Sequence, residues 1–158
     1  MSYFRNSRDT ELSALYYLTN SFATDWSGVT VIKTFQDAYS TSTNVPIVCV
    51  RLTQTTTGRL EIGSTTLDNV YLLIIDIFAR SDGQRLDLAD YIKDKMKDGW
   101  VHYQHSHPSG DNTTLTRVAD GRDFISNFVN DASLEIAGSP EQKDRYRHNI
   151  SIAVRNSI

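Results

Sequence analysis

The stretch Val70-Tyr71-Leu72-Leu73-Ile74-Ile75-Asp76-Ile77-Phe78-Ala79, followed by Arg80-Ser81-Asp82-Gly83 and then Gln84-Arg85-Leu86-Asp87-Leu88-Ala89-Asp90-Tyr91-Ile92-Lys93-Asp94-Lys95-Met96, decides the fold class. Its first segment is apolar at odd and even positions alike, with Asp76 the one charge. A strand with two apolar faces belongs inside a sheet. After the turn the period changes. Leu88, Ile92 and Met96 fall four apart, with Ala89 beside them, and Asp87, Asp90, Lys93, Asp94 and Lys97 lie mostly off that stripe. This spacing predicts a helix over about 84–98. Gly99 ends it, because glycine takes the left-handed conformation without a Cβ clash.

Upstream, Leu12, Leu15, Tyr16 and Thr19 recur at helical spacing, followed by Phe22 and Ala23. Ser7 or Asp9 is placed to cap this helix, and Glu11 puts a negative charge near its positive end. The β-branched run Val29–Phe35 and the segment Ile47–Leu52 read as strands. The polar residues 40–44 lie between them, and Pro46 favours extended geometry at Val45. Residues 53–68 have no core-forming pattern. Gly58 is a turn residue there, and Leu60-Glu61-Ile62-Gly63 alternates like the returning arm of a hairpin. A projecting β-hairpin or long loop is expected.

Downstream, Trp100–Gln104 starts a strand and residues 106–113 form a loop. Two more strands are expected at about 123–136 and 145–155. The last alternates cleanly. Tyr146, His148, Ile150, Ile152 and Val154 point one way, and Arg145, Arg147, Asn149, Ser151 and Arg155 the other. The order of helix, strands, helix, strands gives an α+β domain. Its sheet is expected to be mostly antiparallel, flanked by two main helices, with residues 53–68 projecting.

The 158 residues suffice for one domain, so residues 1–158 are expected to form one unit. They are 39% apolar and 22% charged, which argues against disorder. Sixteen basic and nineteen acidic residues nearly cancel to a net charge of -3, so nothing suggests a nucleic-acid-coating surface. The single cysteine, Cys49, excludes an internal disulfide framework. The first residues lack the apolar core of a secretory signal, and no apolar run approaches the ~20 residues that span a bilayer. An intracellular protein with no membrane association is expected.

One string invites metal chemistry: His102-Tyr103-Gln104-His105-Ser106-His107-Pro108-Ser109-Gly110-Asp111. It resembles the metal segment of JAMM/MPN+ metalloproteases and RadC-type proteins, in which a His-x-His-Pro sequence and a later aspartate hold zinc. That resemblance implies His105, His107 and Asp120 as ligands of a hydrolase, Asp120 only after a two-residue shift. The family's following serine and aspartate fall here on Leu115 and Val118. Glu11 and Glu61 are the upstream glutamates for a base, neither in the expected setting. A polar turn built on Pro108 and Gly110 accounts for the same residues, and chance metal binding by His102, His105 and His107 is the third reading. Cys49 reads as a small buried core residue. Asp76 reads as a paired or interfacial carboxylate, with no second acid near it for catalysis. Arg145, Arg147 and Arg155 form a basic row that fits a solvated face or a salt-bridged subunit contact.

The ordered set of elements covers more of the chain. An amphipathic helix, two strands, a Thr-rich excursion, an apolar strand, a short turn into the Leu-Ala-Asp helix, and closing strands span about residues 8–155. This resembles the tail terminator (tail completion) and neck proteins of long-tailed bacteriophages. The resemblance implies a non-enzymatic structural protein of the virion, assembled in the host cytoplasm without a cofactor. It implies a homo-oligomer, a hexameric ring, that caps the tail tube protein and meets the head-closure or connector proteins. DNA would pass through the lumen without specific binding. The arm, with Thr55, Thr56, Thr57 and Arg59, is the expected subunit contact, together with Asp76, Arg145 and Arg147.

Overall fold

A computed structural model describes residues 6–33, 35–39, 44–59, 61–63, 67–106, 116–134 and 142–157. Two helices and six strands are seen: α1 (Asn6–Asp25), β1 (Thr30–Ile32), β2 (Ile47–Arg59), β3 (Leu67–Phe78), α2 (Asp82–Met96), β4 (Trp100–Ser106), β5 (Thr116–Leu134) and β6 (Arg147–Ser157). The strands form one sheet in the order β1-β2-β3-β6-β5-β4. Only β1 and β2 run parallel; every other neighbouring pair is antiparallel. The fold is therefore α+β, as expected.

Alternation sorts the strand residues into two faces. Val48 and Val50, Tyr71, Leu73, Ile75 and Ile77, and Ile150, Ile152 and Val154 are buried in one core with Ala14, Leu18 and Phe22 of α1 and Leu88, Ala89, Ile92 and Met96 of α2. Both helices thus lie on the same face. Each fully buried aliphatic chain contributes roughly 1.5–3 kcal/mol. The other face has a smaller cluster of Ala38, Ile47 and Phe78, joined by Ile32, Tyr39 and Val45. Two-sided burial of β3 from Ile75 to Phe78 explains its apolar run.

The caps follow the local sequence. Ser81 Oγ accepts from the Gln84 amide at the start of α2, and Gln84 Oε1 accepts from the Arg80 amide. The first bond satisfies a donor that a helix start leaves open, and the second ties the residue before the cap to the first turn. Gly99, with φ of 81°, takes the left-handed turn into β4.

Other expectations shift. The first strand shrinks to three residues, and Phe35 begins a single 3-10 turn, Phe35–Tyr39. Gly58 lies within β2, not at a turn. Residues 61–63 form the bend, and the returning arm is Leu67 onward, pairing Leu67 with Arg59 and Val70 with Thr56. The strand expected at about 123 begins at Thr116. Leu60 and residues 64–66 lie outside the described residues. The Val45–Pro46 peptide is cis.

Candidate functional site

α1 is built in two halves. From Ala14 onward it turns Ala14, Leu18 and Phe22 into the core, but the buried residues before that point are Asn6, Asp9, Thr10 and Ser13. Those polar side chains have backbone work to do. The sheet is curled, and α1 touches β4 at one edge and β1 and β2 at the other. Ser13 Oγ accepts from the Tyr103 amide at 2.9 Å, and Asp9 Oδ1 accepts from the His105 amide at 3.1 Å. On the far edge, Glu11 Oε2 accepts from the Leu52 amide at 2.8 Å, past the end of β1, and also pairs with Lys33. An exposed edge offers unpaired amides to any passing strand. Here one helix occupies those amides at both edges in place of another strand.

A buried polar network sits beneath the start of α1. His102 Nδ1 meets the Asp123 carboxylate at 2.9 Å, both side chains almost fully buried. Asn156 donates to the same carboxylate, and Asn6 donates to Asn156 and to the Tyr71 hydroxyl. His105 Nδ1 lies 3.3 Å from Asp9 Oδ1. Burial pushes the His105 imidazole below its ordinary 6.5, against the pull of Asp9, while Arg117 on β5 and His102 on β4 push it the same way as burial. The unfolded chain therefore takes up this proton more readily than the folded one. The contribution is fully present above pH 6.5 and is lost as pH falls below it. The urea midpoint should drop between pH 7 and pH 5, before the carboxylates titrate, and His105→Gln should flatten that slope. An unchanged slope in the variant would assign the loss elsewhere.

The residues expected in a metal site are engaged in other ways. His105 faces Asp9, and Asp120 accepts from Gln104 Nε2 at 2.7 Å. His107 lies outside the described residues. Among the described residues, no three His, Cys, Asp or Glu side chains stand together as a ligand set. Cys49 is buried, and burial raises its thiol to about 11, as a core residue requires.

The expected contact residues divide. Thr55, Thr56, Thr57 and Arg59 are exposed on the arm formed by the far ends of β2 and β3. Arg145 is exposed in the turn before β6. Asp76 and Arg147 are not surface groups: they are 3% and 2% exposed. Arg147 bonds Asp76 and Asp144, and its guanidinium lies over the Phe78 ring. Arg155 pairs with Asp68 of β3. The basic row is thus taken up by internal partners at two of its three positions, which strand alternation alone does not reveal.

Sequence reasoning missed one surface. Beyond Asp123, which pairs with Trp100, β5 continues to Leu134 with β6 as its only strand partner among the described residues. Phe124, Phe128, Val129 and Leu134 are all exposed on it. Two register shifts, at Ile125/Asn127 and Phe128/Asn130, break the alternation that would have marked it. The signal available was the string of large apolar residues itself. No family model matches the chain, and no curated protein matches it.

Proposed function

We propose that this protein is structural and works by self-assembly into a ring, as the resemblance to phage tail terminator and neck proteins implies. The observation that supports this best is the arm. β2 and β3 pair from Gln54/Leu72 to Arg59/Leu67, past the point where β3 leaves β6 at Tyr71/Val154. A two-stranded ribbon that leaves its own sheet buries little and is marginal alone. Its threonines suit strand addition, in which backbone hydrogen bonds supply the affinity. On this reading the ring sits at the end of a tail tube, contacts the head connector, and lets DNA pass.

The test shortens the arm. Residues 57–69 are replaced by Asn-Gly, so that the paired positions Thr56 and Val70 join through a two-residue hairpin turn. The full chain should sediment as a closed oligomer, a hexamer on this reading, visible as rings by negative stain. The shortened chain should stay folded and monomeric. The Asp68–Arg155 pair it loses is partly exposed and is worth at most about 1 kcal/mol. A full-length chain that stays monomeric at high concentration would refute the proposal.

A further inference from the structure

We infer that the open edge of β5, Phe124–Leu134, receives the β2–β3 arm of a second copy, joining copies head to tail by strand addition; this rests on the assembly reading above.

The choice follows from which edges are open. The β4 edge is occupied by Ser13 and Asp9. The opposite edge is short, with β1 spanning only Thr30–Ile32 and Glu11 holding the Leu52 amide beyond it. β5 past Asp123 is different. Over 124–134 it pairs with no described strand except β6, and it carries the cluster of exposed Phe124, Phe128, Val129 and Leu134. An open edge with exposed apolar side chains is a pairing hazard unless something covers it.

The occupant follows from register. β6 residues 147–154 face β3 residues 78–71 on one side and β5 residues 134–125 on the other. The open edge therefore runs alongside the body of the sheet. The arm begins where that body ends, at Tyr71, and extends away from it. In the sheet order β6 also stands between β3 and β5. The arm cannot reach its own chain's edge, but a second copy's arm can. Residues 56–58 on β2 and 68–70 on β3 pair only with each other among the described strands, so each has a side left for a third strand. A contact between two different surfaces of one chain is heterologous. Such contacts give rings when the rotation closes. The bulges at Ser126 and Val129 interrupt the ladder at fixed points, so they oppose register slippage in the joint.

Two sets of variants in the full chain test this. Ser126→Lys/Val129→Lys adds charge at the two exposed bulge positions. It should keep the parent's urea midpoint and weaken self-association at least tenfold by sedimentation. In the second set, Thr56→Cys is combined in turn with Phe124→Cys, Asn127→Cys or Val129→Cys. Under mild oxidation at least one pair should give a covalent ladder of several copies, whereas each single cysteine should stop at dimers. An assembling parent whose edge variant assembles equally well, with no ladder from any pair, overturns the β5 acceptor and leaves the assembly reading standing. A parent that never assembles overturns both. If the lysine variant unfolds, the cysteine pairs decide alone.

Discussion

Asp76→Ala should lower the unfolding free energy by about 3 kcal/mol, read as a fall in the urea midpoint at unchanged slope. The reason is the cation it leaves behind. Arg147 is almost fully buried, with Asp76 at 3.4 Å and Asp144 at 3.2 Å from its guanidinium. Breaking a buried pair by removing one partner costs about 3–5 kcal/mol, because the remaining charge has lost both water and its counter-ion. Asp144 still serves Arg147 in the variant, which keeps the effect at the low end. Asn149 and Arg51 also turn toward Asp76, so the loss is shared by three strands. The double variant Asp76→Leu/Arg147→Met should recover at least half of the loss, since a matched apolar pair needs no desolvated charge. A single variant within about 1 kcal/mol of the parent would mean that water reaches Arg147.

The second large effect is at Gly99. Its φ of 81° is left-handed, and an added Cβ would stand 2.5 Å from the Asp123 carbonyl oxygen and 3.2 Å from Phe124 Cβ. The conformation alone costs a non-glycine residue about 1–2 kcal/mol. The clash adds to it, because the obstacle is backbone of the paired strand and cannot swing aside. Relief requires β4 and β5 to part where Trp100 faces Asp123, beside the His102–Asp123 pair. Gly99→Ala should therefore lose more than about 3 kcal/mol, well beyond the conformational cost. Gly28 supplies the control. Its φ is 91°, but nothing lies within 4 Å of an added Cβ. Gly28→Ala should lose only the conformational part, and equal losses at the two positions would show that the clash at Gly99 is relieved.

The polar half of α1 shows where reading along the chain stops. Leu12, Leu15 and Tyr16 mark the helix, yet all three are only partly buried. The residues that seat it are Asp9 and Ser13 on one side and Glu11 on the other. A buried aspartate in a helix reads as a cap or a solvated face. Its real acceptor role, toward the amide of His105, appears only once the edge of β4 is in place. The histidine string is a similar case. Its spacing resembles a ligand set, but strand geometry turns His102 toward Asp123 and His105 toward Asp9.

What the sequence determined by itself is what depends on neighbours a few residues away. The two helices, the two-faced strand β3, the alternating strand β6 and the left-handed glycine after α2 all follow from periodicity and local sterics. Tertiary structure alone decided which charges are internal and which strand edges the first helix occupies. Asp76 and Arg147 are separated by 71 positions, Glu11 and Leu52 by 41, and Asp9 and His105 by 96. Bonds across such distances leave no period in the chain, because each is set by how the sheet curls around α1 and not by any residue's own preference.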